Sequence, residues 1–315
     1  MDLSIIIVNW NTKGLLADCL QTVVDNLQDL HAEIIVVDNG STDGSPDMVA
    51  QRFPQARLVE NTENRGFAAA NNQAISLAEG QYILLLNSDT LVHGDVLAKS
   101  VEYMQQNPQV AVMGCRVLNS DGSVQLTCSQ FPTLLNLFFQ TSGLWKLPWP
   151  RFFSNYQMPY WQRDDEREVE VVSGCYMLVR ASTLPTVGLL DESFFFFGEE
   201  TDWCHRFKKA GWRLSFAPVG EITHYHSASA RKLHYKRDLM LTYALILLQR
   251  KHGGAVHAFF AWLILLVFNS TRAALWSLRA LWSSNPAVTE RRNHFISITR
   301  NFHRTWPWNR ASLRW

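Results

Sequence analysis

Carboxylates, amides and imidazoles able to bind a nucleotide, a divalent ion and a reacting hydroxyl fall in order along the first 226 residues. Val36-Val37-Asp38-Asn39-Gly40-Ser41-Thr42-Asp43 comes first, Leu85-Leu86-Asn87-Ser88-Asp89 second and Phe197-Gly198-Glu199-Glu200-Thr201-Asp202 third. Asp38 directly follows the apolar run 34–37, so its carboxylate could accept the imide N–H of a uracil or thymine ring; it could equally cap the next helix. Asp89 offers a hard oxygen to an ion bridging two phosphates, and Mg²⁺ takes only one or two carboxylates beside phosphate oxygens and water. Asn87 could add a neutral oxygen or reach a ribose, while the competing role of this motif is a helix cap before Asp95. Glu199, Glu200 and Asp202 follow four phenylalanines at 194–197. A carboxylate against aromatic surface can be raised into the range a general base needs. The same acids would suit a helix N-terminus, and Asp202 is spaced to pair with Arg206 one turn on. His224 and His226 alternate as on one face of a strand, and His224 is a candidate third ligand beside Asp89 and a glutamate.

These groups need a frame, and the hydropathy pattern supplies one. Apolar runs predict strands at 3–9, where the run ends in polar Asn9, and at 33–37, 56–60, 82–86 and 110–116. Between them, apolar residues recur at helical spacing over 15–27, 67–78 and 95–106, and a turn at 40–46 precedes a helix through Arg52. Alternating strands and helices imply an α/β fold with a parallel or mixed sheet covered on both faces. Carboxylates at strand ends then sit at the edge where such sheets bind ligands. Strand character resumes at 169–172 and 176–179 around Ser173-Gly174, and residues 202–210 are helical. The proline- and aromatic-rich stretch 128–168 reads as a long loop or lid.

The totals divide the chain. Residues 1–230 carry 15 Lys/Arg against 26 Asp/Glu, a balance of −11; residues 231–315 carry 14 against 2, a balance of +12. Two regions with different surroundings follow. Five widely spaced cysteines without a C-x-x-C pair argue against a disulfide framework or structural zinc and suit a reducing cytosol. Asp2 and the short 5–8 run do not make a signal peptide.

The motifs together resemble those of inverting glycosyltransferases of family 2, which have the GT-A fold, and most of all the bacterial rhamnosyltransferase-like branch that builds O-antigen and other surface polysaccharides. The resemblance covers about residues 2–230. It rests on Ser4-Ile5-Ile6-Ile7-Val8-Asn9-Trp10-Asn11, Val37-Asp38-Asn39-Gly40-Ser41-Thr42-Asp43, Asn64-Arg65-Gly66-Phe67 with Asn71-Asn72, Leu86-Asn87-Ser88-Asp89, and Gly198-Glu199-Glu200-Thr201-Asp202-Trp203-Cys204-His205-Arg206. It implies a Rossmann-like mixed sheet with helices on both faces, with Asn9, Asn11, Asp38, Asp43, Arg65 and Asn87 around the nucleotide. Asp89 matches the last Asp of the family's metal motif, whose first position is Asn87 here, and His224 resembles the His completing the metal site in some members. The implied cofactor is a divalent metal, Mg²⁺ or Mn²⁺. Glu200 stands where the family has its catalytic acid, with Glu199 the second choice. Ser173, Gly174, Asp202, Trp203 and Arg206 would line the acceptor. The implied partners are a dTDP- or UDP-sugar donor, with dTDP-rhamnose favoured, and a lipid-linked glycan acceptor. Two other readings are a non-catalytic nucleotide-sugar-binding scaffold and a sugar nucleotidyltransferase. The latter class usually carries a Gly-rich basic loop after strand one, where Asn9-Trp10-Asn11-Thr12 stands.

Residues 231–315 lie outside those motifs and read as a helical, basic, Trp-rich region. The uncharged run 255–268 is shorter than the roughly 20 residues of a spanning helix, and Arg272 and Arg279 would be costly at a bilayer centre. Helices lying in an anionic membrane surface fit this pattern best, with a re-entrant or spanning hairpin, or a helical cap on a soluble enzyme, as alternatives. The expected location is the cytoplasmic face of the bacterial inner membrane, peripheral or monotopic. No nucleic-acid recognition motif accompanies the basic charge.

Overall fold

The computed structural model describes residues 1–27, 29–147, 151–225, 234–306 and 308. The chain forms two compact units: residues 1–131, 157–192 and 199–226 make the first, and 132–156, 193–198 and the chain from 227 onward make the second. The anticipated boundary at 230/231, and His226, lie outside the described residues.

The first unit is built on a mixed nine-stranded sheet: β1 (Leu3–Asn9), β2 (Ala32–Asp38), β3 (Arg57–Glu60), β4 (Tyr82–Asn87), β5 (Thr90–Val92), β6 (Val110–Leu118), β7 (Arg167–Glu168), β8 (Tyr176–Arg180) and β9 (Arg213–His224). The order is β3-β2-β1-β4-β8-β6-β9-β5, with β7 on β9. β1, β2, β3 and β4 run parallel, so their C-terminal residues share one edge: Asn9 pairs with Asp38, and Val8 with Asn87. Side chains alternate across a strand, and here both faces are apolar. Ile5 and Ile7 enter one core with α1 (Lys13–Asp25), α2 (Ser45–Arg52) and α4 (Val96–Gln106), whereas Ile6 enters the opposite core with α3 (Phe67–Ile75) and, beyond α5 (Leu134–Ser142) and α6 (Leu184–Val187), α7 (Glu199–Lys209). This two-faced burial is why β1, β2 and β4 read as continuous apolar runs rather than alternating ones.

Three expectations are corrected. The stretch 128–168 is not one long loop: it contains α5, whose first turn is capped by the Thr133 hydroxyl accepting from the Asn136 N–H, and the short strand β7. Residues 169–172 form no regular strand; Val171 makes a single bridge to Ser129, and the Val169 N–H donates to the Leu214 carbonyl. α7 also begins three residues earlier than expected, so Glu199 and Glu200 lie in its first turn.

In the second unit the long helix α8 (Tyr235–Ala280) is broken at Gly254, which takes φ 81°, a conformation that suits glycine. Its second half packs on α9 (Pro286–Asn301) through Ala258, Ala261, Leu265 and Ile298, and Leu137 of α5 joins the same core. By length and composition α8 is apolar enough to cross a membrane.

Arg163 holds the 157–163 segment to the chain that follows Gln125. Fully buried, with φ 55°, its guanidinium donates to the carbonyls of Thr127, Cys128, Gln157, Met158 and Trp161. Arg163→Met strands several buried acceptors and should cost at least about 3 kcal/mol, read as a lower denaturation midpoint.

Candidate active site

The parallel register gathers the first group of polar residues. Asn9, the last residue of β1, is buried and donates from Nδ2 to Asp38 Oδ1 at 2.9 Å and to Ser41 Oγ at 3.2 Å. The other oxygen of Asp38 accepts the Ser41 N–H at 2.8 Å. Asn9 Oδ1 in turn accepts from Thr12, whose hydroxyl lies 3.0 Å from that of Ser88. A chain of hydrogen bonds therefore crosses the sheet edge from β2 through β1 to the loop after β4. Gly40 closes the turn beyond Asp38 at φ 80°; a Cβ there would come within 3.0 Å of the Glu63 backbone, so only glycine lets the two loops meet.

Asn39, whose part in the site was not legible in the sequence, holds the second loop. Its side chain donates to Asn64 Oδ1 and accepts from the N–H of Arg65, so it fixes the backbone of the loop that carries the exposed Arg65. Asn11 takes φ 53° and its Oδ1 accepts from the Thr42 N–H, while its own N–H donates to Ser41. Asp43 is engaged by the chain itself: one oxygen accepts the Lys13 N–H and the other accepts from Ser45, so it ties together the starts of α1 and α2. Burial opposes ionisation of Asp43, but these donors outweigh it and hold its carboxyl below the usual range.

Antiparallel pairing of β5 with β9 sets Thr90 opposite His224 and brings the second group together. His224 Nε2 lies 3.2 Å from Asp89 Oδ1 and 3.2 Å from the Asn87 amide. On the far side of the ring Nδ1 is 2.8 Å from Gln125 Oε1, while the Gln125 amide nitrogen donates to Asn119 and to the His224 carbonyl. That network assigns the carbonyl end of Gln125 to His224 and hence a proton to Nδ1. Nε2 then points at a carboxylate, an arrangement that needs a proton or a cation between them. Burial disfavours charge on the imidazole, yet the hydrogen bond to Asp89, with a contribution from Cys175, lifts it to about 10. Among the described residues no three His, Cys, Asp or Glu side chains form a closed metal cage. The open pair Asp89–His224, with Asn87 able to turn its oxygen inward, fits an ion whose remaining ligands are phosphate oxygens and water.

Glu199 and Glu200 differ sharply. Glu199 is buried, and its Oε2 has no hydrogen-bond partner. Burial, reinforced by the charge of Glu200, lifts its carboxyl well above the usual range. Glu200 is half-buried, and its Cβ stands 3.9 Å from the position a Cβ on Gly174 would occupy, with the Phe67 ring on the same side. Ser173 and Gly174 are half-buried in the loop before β8. The three remaining residues expected to line an acceptor serve to hold α7. Trp203 is fully buried, with its indole N–H donating to the Gly188 carbonyl; the buried Asp202 accepts from Arg206, which also donates to the carbonyls of Val187 and Leu189.

The folded protein binds a proton on His224 that the unfolded chain releases near the ordinary histidine value of about 6.5. The stabilisation from the His224–Asp89 pair is thus complete below that value and lost as pH rises toward about 10. Metal-free protein should lose unfolding free energy across this window, and the His224→Gln variant should lack that part of the slope.

Residues 4–183 match the glycosyl transferase family 2 model. Over 246 residues the chain is 29% identical to the N-acetylglucosaminyl-diphospho-decaprenol L-rhamnosyltransferase of Mycobacterium tuberculosis, covering 73% of this chain and 78% of that protein. Over 221 residues it is 28% identical to the O-antigen biosynthesis protein RfbC of Myxococcus xanthus, covering 68% of this chain and 17% of that one. The solved structure of the mannosyltransferase PcManGT from Pyrobaculum calidifontis, in complex with GDP-Man and Mn²⁺, shares the fold with a TM-score of 0.58 at 19% identity, over 98% of this chain and 88% of that chain. With the family model matched over more than half of its length, on a mixed sheet of GT-A type, the chain belongs to glycosyl transferase family 2.

Proposed function

We propose that the chain is an inverting glycosyltransferase that moves a sugar from a nucleoside diphosphate donor to a lipid-linked glycan acceptor, in the building of a surface polysaccharide at the cytoplasmic face of a bacterial inner membrane. Family membership and the names of the mycobacterial and Myxococcus relatives support this reading, and the former favours dTDP-rhamnose as donor. The observation that carries it is the convergence, on one edge of the sheet, of the Asn9–Asp38 pair with the Asn87–Asp89–His224 group.

In this reading Asp38 receives the pyrimidine imide, supported by Asn9 and the turn at Ser41, with Asn11 and Arg65 on the open side of the same loops. Asp89 and His224, oriented by Gln125, would hold a divalent ion, which would supply positive charge to the leaving diphosphate. Glu200 removes the proton from an acceptor hydroxyl. The oxygen forms its bond to C1 of the sugar from the face opposite the diphosphate, the bond from C1 to the diphosphate oxygen breaks with its electron pair leaving on phosphate, and configuration inverts. Glu200 suits the base role because it is half-buried beside Gly174, whereas Glu199 is buried and its carboxyl is pushed well above the usual range by that burial and by the charge of Glu200.

Glu200→Gln should lower kcat by about 10²- to 10⁴-fold while leaving donor affinity within about threefold. Glu199→Gln, which copies the neutral acid, should keep activity within about tenfold. Reversal of that ranking would transfer the base role to Glu199. Because the ion must displace a proton from His224, the half-saturating Mn²⁺ concentration should fall by up to about tenfold per unit rise in pH across neutrality, and a pH-independent value would count against His224 as a ligand.

A further inference from the structure

We propose that Trp276, Arg279 and Arg291 form a binding site for the phosphate of an anionic phospholipid headgroup, through which the C-terminal helices dock on a bilayer. The proposal deepens the membrane part of the reading above and is independent of the donor site. Arg279 of α8 and Arg291 of α9 come from different helices, yet each guanidinium lies 4.9 Å from the centre of the same Trp276 ring. Two guanidinium charges gathered at one indole raise the local positive potential, which favours a bound anion. Guanidinium groups match phosphate oxygens with paired N–H donors, and the Trp276 ring contacts both of them. Among the described residues no carboxylate forms an ion pair with Arg279 or Arg291. Residues 231–315 contain only Asp238 and Glu290 as acids; Asp238 is engaged by Arg237 and His294.

The neighbourhood points to a lipid rather than a free anion. Ala258, Ala261, Leu265 and Asn269 are buried along one side of α8, and Trp276 continues their helical spacing. The opposite side exposes Val256, Phe260, Leu263 and Val267. At the C-terminal end of α8 Leu278 is exposed, and just beyond it Leu281 is 70% exposed and Trp282 81% exposed. A helix with an exposed apolar stripe on one side and cations and tryptophans at its C-terminal end has the chemistry of an acyl–headgroup boundary, and nucleic acid would leave the stripe uncovered.

Flotation of the full chain with phosphatidylcholine vesicles, with and without phosphatidylglycerol, tests this. Arg279→Gln/Arg291→Gln should weaken binding to the phosphatidylglycerol vesicles by about thirtyfold, with thermal stability and donor binding unchanged. Arg279→Lys/Arg291→Lys keeps the charge but loses the paired donors, and Trp276→Leu keeps both arginines but loses the platform; each should weaken binding by at least about fivefold. Full binding by the Lys pair and by Trp276→Leu would mean diffuse charge and overturn the site. Displacement by millimolar inorganic phosphate, but not by chloride of equal ionic strength, would identify a free-phosphate site and also overturn it. If the wild-type chain floats with neither vesicle, the membrane reading falls with it, whereas donor binding is scored separately.

Discussion

The pairing of β5 with β9 is the contact on which the rest of the site depends. Thr90 and His224 are far apart in sequence, and their register places an imidazole against the carboxylate of Asp89. A slip of one residue would turn His224 to the other face of the sheet. Asp89 and His224 reinforce that register, because the Asp89 carbonyl accepts the N–H of Tyr225 just beyond the strand. The partnership of a buried carboxylate and a buried imidazole is tolerable only because each satisfies the other or a shared ion; either alone would carry a desolvation cost.

The opposite half of the cleft is assembled by parallel strand register instead. Asn9 and Asp38 are direct partners at the ends of β1 and β2, so their hydrogen bond follows from the sheet with no further arrangement. Thr12 and Ser88 then connect this half to the loop carrying Asp89. Rigid strands thus set the distances, while the loops held by Asn39 and Asp43 supply the backbone that approaches a ligand. The acidic pair at the start of α7 uses burial differently: burial disfavours the charge on Glu199, while Glu200 lies closer to solvent.

Much of this was legible in the sequence where a local rule was decisive. The 3–9, 33–37 and 82–86 runs are apolar on both faces and end in or lead directly into polar residues, so strands, edge and candidate ligands were read together. Long-range contacts were not. β9 was missed over most of its length because Ala217-Pro218-Val219-Gly220 interrupts its pattern, and its register against β6 is irregular. Gln125 sits in an irregular segment and has meaning only once His224 arrives beside it. Trp203 and Arg206 were expected to line an acceptor because they follow the acidic motif; in the fold they point inward, since a helix with acids in its first turn still needs anchors to the sheet and to the loop at 187–190. The residues that hold α7 and the residues that could do chemistry alternate along one helix, and spacing alone does not separate them.

The most direct test of the account is calorimetric titration of dTDP-rhamnose and UDP-sugars into the full chain, with Mn²⁺ or with EDTA, for wild type and for Asp89→Asn. Pyrimidine diphosphate-sugar binding that requires the ion, and that loses this requirement together with most of its affinity in Asp89→Asn, is the result the geometry predicts. Donor binding that is equally tight in EDTA and unaffected by Asp89→Asn would contradict the metal site. Absence of binding to every donor by folded protein would contradict the nucleotide site and leave the fold without the proposed activity.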